Sequence, residues 1–372
     1  MDISVIIVSY NVKFFLEQCI VSLQKALSSL QSEIWIVDNN SSDESVSYLR
    51  QKFSSIKFIV NNANEGFAKA NNNALQKASG KYILFLNPDT ILSEDCITGS
   101  IRFLESQTNG GATGIRMIDG SGNYLKESKR GFPTVWVSFC KMTGLTSMFP
   151  HSSFFARYYM GNISSRLNHQ VDALSGAYML VKKKVLDITG GFDERFFMYA
   201  EDIDLSYRII KAEFTNHYFS DSTIIHFKGE STIKNADYTR QFYKAMIQFV
   251  EKHYKGGLSF LSVAALKAAI KIKTSLALAS GNTKETEKST HMEFELRGDS
   301  SAVESLKKRV ITSPQARSIV FCEGKEYSYQ KMIVDMESSV ERKEFFVHGA
   351  GTDSIVGSGS KDQRGASFPL NK

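Results

Sequence analysis

The first 90 residues alternate short apolar runs with segments whose apolar positions recur at helical spacing. The apolar runs predict β-strands at 3–8, 33–38, 56–60 and 82–86. The segments between them predict helices at 14–30, 43–52 and 67–78. Because strands that alternate with helices pair in parallel, this pattern predicts an α/β domain with a mostly parallel central sheet flanked by helices.

Polar residues cluster where each of these apolar runs stops. The clusters are Tyr10-Asn11, Asp38-Asn39-Asn40, Asn61 to Asn64, and Asn87-Pro88-Asp89. Ligands bind at the carboxyl ends of parallel strands, so the four strand ends are expected to face one crevice. An isolated Asp-Asn or Asn-Pro-Asp is usually only a turn. It is the convergence of four such ends that indicates a binding site, and polar edges of this kind suit a base and a ribose.

Beyond residue 90 the pattern is less regular. A helix near 94–106 is followed by an aromatic-rich middle, 119–170, which we interpret as an acceptor-side insertion. Regular spacing then predicts a strand over Val171 to Val181, a helix beginning near Glu201, a strand pair carrying His217 and His226, and a helix over 237–254.

The carboxyl-terminal third predicts appended material behind a main domain of residues 1–255. Residues 256–280 predict an amphipathic basic helical extension, 281–300 a polar linker, and 301–372 a small tail. Glycines in the tail predict loops: Gly349, Gly351, Gly357, Gly359 and Gly365. Residues 345–351 fit a strand that enters a glycine loop, and a surface turn without a ligand is the favoured interpretation there.

Composition and charge exclude several classes of protein. Hydrophobic residues make up 42% and charged residues 23%, which is an ordinary globular balance. The net charge of +6 is spread widely with no basic run interleaved with aromatics, which argues against nucleic-acid binding. The four cysteines are far apart, so neither a zinc site nor a disulfide framework is indicated. With no basic leader before the first strand, we expect a cytoplasmic protein.

One apolar stretch, Leu258 to Ala279, raises the question of membrane contact. Lys267, Lys271 and Lys273 interrupt it, and lysines at the centre of a span are costly in lipid. The pattern instead fits a helix that lies on the inner face of a membrane, or simply a solvated face.

The order and spacing of the strand-end motifs resemble the inverting glycosyltransferases of family 2, particularly the rhamnosyltransferase-like members, over roughly residues 1–255. This resemblance implies a GT-A fold and a nucleotide-sugar donor. It also implies that the nucleotide is bound by Ser9, Tyr10, Asn11, Asp38, Asn40, Asn64, Gly66, Phe67, Asn71 and Asn87. Gly66 in particular lets the chain approach the donor closely, since it has no Cβ.

The same resemblance implies a divalent cation, Mg²⁺ or Mn²⁺. Asn87-Pro88-Asp89 stands where the family has its Asp-x-Asp type motif, and one of the two carboxylates is missing. Asp89 can serve as the main protein ligand because diphosphate oxygens and waters fill the remaining positions. His226 matches a late family histidine that contacts the metal or the diphosphate, although a lone histidine is more often structural.

The segment from Gly191 to Asp202 resembles the family segment that supplies the catalytic base, which implies that role for Asp202. An inverting displacement needs one carboxylate to accept the proton of the attacking hydroxyl. Ser175, Gly176, Ala177 and Glu201 are expected around the donor or acceptor sugar. The simpler interpretation of the acidic residues is that they complement a helix dipole.

The expected function is therefore sugar transfer from a dTDP-, UDP- or GDP-sugar to a glycan or lipid-linked acceptor, in cell-surface polysaccharide synthesis. A nicotinamide dehydrogenase is disfavoured because no Gly-x-Gly-x-x-Gly follows the first strand. An inactive transferase-like scaffold stays open, although the joint presence of Asp89, Asp202 and His226 favours activity.

Overall fold

The computed structural model describes residues 1–229, 236–254, 293–339, 343–358 and 365–370. The helices are α1 Lys13–Ala26, α2 Ser45–Lys52, α3 Phe67–Leu75, α4 Cys96–Ser106, α5 Val135–Thr143, α6 Leu145–Met148, α7 Lys183–Thr189, α8 Glu201–Lys211, α9 Ala236–His253, α10 Ser300–Lys307 and α11 Tyr329–Ser338. The strands are β1 Ile3–Ser9, β2 Ser32–Asp38, β3 Lys57–Val60, β4 Tyr82–Leu86, β5 Thr90–Ile91, β6 Gly110–Ile118, β7 His169–Val171, β8 Tyr178–Lys182, β9 Thr215–His226, β10 Phe294–Gly298, β11 Ser318–Cys322, β12 Glu344–His348, β13 Ser354–Ser358 and β14 Ala366–Pro369.

A nine-stranded sheet forms the body of the larger domain, with the order β3-β2-β1-β4-β8-β6-β9-β5 and β7 paired to β9. The first four strands run parallel, as their alternation with helices predicts. All seven residues of β1 are buried, which explains why four consecutive apolar residues, 5–8, occupy its centre, because helices cover both faces of a parallel sheet. The predicted α/β class with a mostly parallel central sheet is confirmed.

The second half of the sheet differs from the sequence-based prediction in two places. The expected strand pair around His217 and His226 is one strand, β9, which is 12 residues long. A register shift between Ile115 and Arg116 of the paired strand β6 lets β9 run on through its polar middle. The strand expected over Val171 to Val181 is divided into β7 and β8, and the residues between them turn beside the cavity described below.

The carboxyl-terminal residues form a second, five-stranded sheet with the order β10-β11-β12-β13-β14. The first three strands pair in parallel and the last two antiparallel. The prediction of a linker reaching residue 300 and of a loop-dominated tail is therefore wrong. Val320, Phe346 and Ile355 build a small core, and Gly357 lies inside β13. The expected helical extension at 256–280 lies outside the described residues.

This carboxyl-terminal unit packs directly against the larger domain. Phe15 of α1 and Phe227, next to the end of β9, share a core cluster with Phe321 and Tyr329. A Cβ on Gly122 would lie 2.3 Å from the carbonyl oxygen of Met336, so only glycine allows this close approach. The same cluster contains Ile91 of β5, and the unit therefore supports the β5–β9 pair from behind.

Candidate active site

A cavity of about 400 Å³ opens at the carboxyl ends of the first strands, where the sequence predicts a crevice. It is lined by Val8, Tyr10, Asn39, Asn64, Gly66, Phe67, Asn87, Pro88, Asp89, Ser175, Gly176, Ala177, Phe197, Met198, Tyr199, Glu201, Asp202, His226, Lys228, Gly229 and Gln241. Strand ends of the amino-terminal half thus meet segments from the second half of the domain, which lie far from them in sequence.

Five residues of the expected nucleotide set do not line this cavity: Ser9, Asn11, Asp38, Asn40 and Asn71. Asn71 is buried and donates to the carbonyl oxygen of Phe67 (2.9 Å), and Asn11 accepts from the Ser42 N–H (2.7 Å). These contacts shape the loops around the cavity.

Asp38 is only 2% exposed, and one of its carboxylate oxygens accepts from the Ser41 N–H at 2.9 Å. Its other oxygen, Oδ1, has no hydrogen-bond partner among the described residues. The next residue, Asn39, lines the cavity and donates to the carbonyl oxygen of Gly66 at 3.1 Å. The sequence indicated this strand end correctly but not which of the adjacent side chains faces the cavity.

Gly66 and Phe67 fix one wall of the cavity by contacting the segment before α8. Gly66 has a φ of +82°, and a Cβ there would lie 2.4 Å from the carbonyl oxygen of Phe197. The Phe67 N–H donates to that same oxygen at 2.8 Å. Tyr199 and Ala200 then take left-handed φ values of 69° and 63° and lead into α8. Two successive non-glycine residues in this region are costly, and such strain is concentrated at functional sites.

Asp202 lies in the first turn of α8 and is held by three donors. One oxygen accepts from the Gly176 N–H at 2.9 Å and from the guanidinium of Arg130. The other accepts from the Ile203 N–H at 2.7 Å. Burial disfavours the Arg130 cation, but the Asp202 carboxylate, Tyr158 and Glu127 together outweigh burial and raise the pKa of Arg130 above its ordinary value. The pair therefore keeps Asp202 beside a fixed positive charge.

Glu201 is adjacent to Asp202, but it has no arginine partner comparable to Arg130 among the described residues. Its side chain is 5% exposed, lines the cavity, and leaves Oε2 without a hydrogen-bond partner among the described residues. Burial, with a further contribution from the Asp202 carboxylate, raises the pKa of Glu201 to about 8. Two neighbouring carboxyl groups, one held by three donors and one with an oxygen that has no partner among the described residues, thus line one cavity.

Asp204, the third acidic residue of this turn, is fully buried and faces away from the cavity. It accepts from Arg208 at 2.8 Å and also pairs with Lys252 and His253 of α9. Its role is to hold α9 against α8. Glu201 and Asp202 line the cavity, unlike Asp204, and all three stand in the first turn of α8, where acidic side chains complement the helix dipole.

Asp89 and His226 lie together because β5 pairs with β9. The register places Thr90 opposite His226, and the Phe227 N–H donates to the Asp89 carbonyl oxygen at 3.0 Å. The His226 Nε2 then lies 3.3 Å from an Asp89 carboxylate oxygen and 3.3 Å from the amide nitrogen of Asn87. The backbone pairing therefore positions both side chains at the cavity wall.

The described residues contain no group of three or more His, Cys, Asp or Glu side chains that could hold a metal ion. Asp89 and His226 supply two donors of the types that Mn²⁺ accepts, and Mg²⁺ or Mn²⁺ keeps waters or phosphate oxygens in its other positions. The pair fits a cation that a bound diphosphate helps to hold.

Three residues at the cavity or behind it were not identified from the sequence. Lys228 lies two positions after His226 and donates a hydrogen bond to the Glu127 carboxylate at 2.5 Å. Burial raises the pKa of Glu127, but the Lys228 cation, a backbone N–H and Arg130 together lower it to about 2. Gln241 enters from α9. Arg130 is 72 positions from Asp202, and no local pattern identifies such a partner.

Residues 4–188 match the family described as Glycosyl transferase family 2. The N-acetylglucosaminyl-diphospho-decaprenol L-rhamnosyltransferase of Mycobacterium tuberculosis (strain CDC 1551 / Oshkosh) is 25% identical over 264 residues, which cover 68% of this chain and 85% of the relative. The rhamnosyltransferase WbbL of Escherichia coli (strain K12) is 28% identical over 206 residues, which cover 52% and 72%.

Among solved structures, mannosyltransferase PcManGT from Pyrobaculum calidifontis, in complex with GDP-Man and Mn²⁺, aligns with a TM-score of 0.46 and 15% identity over 76% of each chain. In the described part of this chain, no helix combines the length and the apolar character that a membrane crossing requires.

Proposed function

Because this chain belongs, through its residues 4–188, to the family 2 glycosyltransferases, we propose that it transfers a sugar from a nucleoside diphosphate donor to an acceptor hydroxyl with inversion. The observation that carries the proposal is the arrangement around one cavity. Asp89 and His226 form one pair on its wall, and the adjacent carboxyl groups of Glu201 and Asp202 form another. A donor diphosphate and an acceptor hydroxyl need these two kinds of group.

The nucleotide belongs at the strand ends of the amino-terminal half. Tyr10, Asn39 and Asn64 offer one aromatic and two amide side chains to a base and ribose. One buried carboxylate oxygen of Asp38 has no partner among the described residues and can accept a hydrogen bond from the nucleotide. The nucleotide reaches this oxygen after a small movement of the Asp38–Asn40 turn. Lys228 lies at the same cavity and contributes positive charge for a diphosphate.

A divalent cation completes the proposed diphosphate site. Asp89 and His226 would hold it, and the cation would neutralise negative charge on the departing nucleoside diphosphate. The protein's own contribution is to keep these two donors at one wall through the pairing of β5 with β9.

Asp202 is the proposed general base. As the acceptor oxygen forms its bond to the anomeric carbon, the bond from that carbon to the diphosphate oxygen breaks, and the hydroxyl proton passes to the carboxylate. Attack from the face opposite the leaving group inverts the anomeric centre. Arg130 and the Gly176 N–H orient the carboxylate for this step. Glu201 keeps its proton at neutral pH and can donate a hydrogen bond to a sugar oxygen.

The name of one relative supports a proposal for the acceptor. The Mycobacterium relative is named for a diphospho-decaprenol substrate, and we propose a polyprenyl-diphosphate-linked sugar as acceptor here, in cell-surface glycan synthesis.

A screen of dTDP-, UDP- and GDP-sugars by thermal shift, with and without Mn²⁺, tests the donor side, since a ligand specific for the folded state raises the melting temperature. The donor that stabilises the protein is then incubated with Mn²⁺ and analysed for release of nucleoside diphosphate. We expect one nucleotide class to stabilise the chain and to be hydrolysed slowly. Stabilisation with no turnover on any acceptor would favour the inactive scaffold, and no stabilisation by any donor would overturn the proposal.

A further inference from the structure

An exposed group of aromatic side chains lies on α5, α6 and the loop that follows. Trp136 is 40% exposed, Phe139 48%, Phe149 45% and Phe154 59%, and Met148 is 69% exposed. We call these five side chains the aromatic face. Soluble surfaces carry single apolar residues, but a contiguous cluster of large rings marks an interaction site.

The rings of the aromatic face contact one another. The centroid of Trp136 lies 5.7 Å from that of Phe139 and 4.9 Å from that of Phe154. The indole N–H of Trp136 donates to the Phe154 carbonyl oxygen at 3.3 Å. The half-buried ring of Phe155 bridges Phe149 and Phe154, with centroids 5.2 and 5.1 Å away. The cluster is thus ordered before any partner binds.

The opposite side of α5 packs against the rest of the protein. Val137 and Cys140 are buried, and Val137 shares a cluster with Met246 of α9. The side chain of Thr134 accepts from the Val137 N–H and caps the helix. Trp136 and Phe139 are therefore the outward residues of an anchored helix.

The charge of this segment is one-sided. No aspartate or glutamate occurs between Glu127 and Asp172. The same interval contains five lysines and arginines. Lys129 and Arg130 are turned inward, Arg166 is exposed but pairs with Glu337, and Arg157 is exposed, as is His151 two positions after Phe149. A segment that exposes Trp and Phe beside the cationic Arg157 and carries no acidic residue of its own complements the interface of an anionic bilayer.

We propose that the aromatic face inserts into the headgroup region of a membrane that contains anionic lipid. Trp and Phe gain free energy at that depth, because their rings leave water while the indole N–H can stay hydrogen-bonded. The aromatic face lies on the outward side of α5, and the inward side of α5 packs on Met246 of α9. Gln241 of the same helix α9 lines the cavity. Membrane contact through the aromatic face does not depend on whether the chain transfers sugar.

The test uses the full chain, with Trp136 as its own probe. Trp35 and Trp136 are the two tryptophans of the sequence, so Trp35→Phe leaves Trp136 as the single emitter. Vesicles of phosphatidylcholine with phosphatidylglycerol are titrated in, with pure phosphatidylcholine vesicles alongside and no nucleotide sugar present. We expect the Trp136 emission to shift to shorter wavelength and the protein to float with the anionic vesicles.

The double variant Phe139→Ser with Phe154→Ser should weaken vesicle binding at least tenfold. Ile188→Ser and Val334→Ser are the matched controls, since these apolar side chains are 65% and 57% exposed on other surfaces and should leave binding unchanged. Each variant is first shown to keep the parent melting temperature.

Three results would overturn the proposal. Undiminished flotation of the double variant would place lipid binding elsewhere in the chain. A Trp136 emission that is already blue-shifted and shielded from iodide without lipid would mean that the chain itself covers the face. Self-association in sedimentation that the double variant abolishes, without any lipid-dependent shift, would assign the face to a second copy of the chain.

Discussion

Arg130 and Asp202 form an ion pair in which the arginine comes from the aromatic-rich middle of the chain and the aspartate from the first turn of α8. Arg130 also donates to the carbonyl oxygen of Leu174. The guanidinium thus ties the segment before Ser175 to the proposed base. The carboxylate is left with a defined direction towards the cavity, which a general base needs.

Replacing Asp202 by Asn keeps the shape of the side chain and removes its capacity to accept a proton. We expect Asp202→Asn to lower transfer by about 10²- to 10⁴-fold, the contribution that general bases typically make. Donor binding should persist, because the groups assigned to the nucleotide and diphosphate are untouched. Product formation and a donor titration measure the two effects separately.

Asp187→Asn is the matched control for that variant, since the Asp187 carboxylate is 56% exposed on α7 and pairs with Lys183 one turn earlier in the same helix. It should transfer at the parental rate. Transfer by Asp202→Asn at close to the parental rate would remove Asp202 from the role of base.

The buried carboxyl group of Glu201 makes the free energy of unfolding depend on pH. Its pKa is raised from 4.5 to about 8 in the folded state by burial and by the Asp202 carboxylate. Between these values the folded protein keeps the proton that the unfolded chain releases, so stability falls as pH rises. The contribution is fully present below pH 4.5 and is lost as the pH approaches 8.

Glu201→Gln removes the titrating carboxyl group, so the variant should become more stable relative to the parent as the pH rises. The gain should amount to at most about 1.4 kcal/mol per pH unit. Melting temperatures of both proteins at pH 5, 6.5 and 8 provide the measurement, and Glu304→Gln, 66% exposed on α10, controls for the loss of a carboxylate. A difference that stays constant over this range would contradict the assignment.

The sequence predicted best what depends on local pattern. The strand expected at 82–86 is β4, Tyr82–Leu86, and the helix expected near Glu201 begins at Glu201. A strand buried on both faces must be continuously apolar, and so its run is visible without knowledge of its neighbours.

What the sequence did not predict depends on partners that are distant along the chain. Arg130 carries no local signal because its partner, Asp202, is brought to it only by the sheet. Asn39 and Asp38 are adjacent in one polar cluster, and only the fold decides which of them faces the cavity. The strand β10 was hidden because Leu296 is the single apolar residue after Phe294 in a short strand rich in charge.

The two-donor arrangement of Asp89 and His226 predicts metal binding that depends on nucleotide. The free protein should bind Mn²⁺ weakly, and a nucleoside diphosphate should tighten binding by at least tenfold, because its oxygens complete the coordination. Calorimetric titration of Mn²⁺ with and without UDP, GDP or dTDP measures this coupling. Equal affinity in both titrations would show that the diphosphate takes no part.

Asp89→Ala and His226→Ala should each abolish or sharply reduce that coupling. His151→Ala is the control, because His151 is exposed and outside the cavity. If Asp89→Ala bound Mn²⁺ as the parent does in the presence of nucleotide, Asp89 would not be a ligand.

Gln18 of α1 joins the carboxyl-terminal unit to the larger domain. It is fully buried, and its amide nitrogen donates to the Thr352 hydroxyl and the Ser354 carbonyl oxygen, each at 2.8 Å. Its amide oxygen accepts from the Gly349 N–H at 2.8 Å. The glycine loop that follows β12 therefore binds a side chain of the larger domain.

We expect Gln18→Leu to destabilise the whole chain, because the Gly349 N–H loses the Gln18 amide oxygen as its acceptor inside the protein. Each polar group left unsatisfied costs about 1–3 kcal/mol. Since α1 also packs on β1, a single cooperative transition should move to lower urea concentration, as followed by circular dichroism and by Trp35 fluorescence in the Trp136→Phe background. Gln51→Leu, exposed on α2, is the matched control and should leave the transition in place. Two separate transitions, with the Trp35 signal unmoved by Gln18→Leu, would mean that the carboxyl-terminal unit adds nothing to the stability of the larger domain.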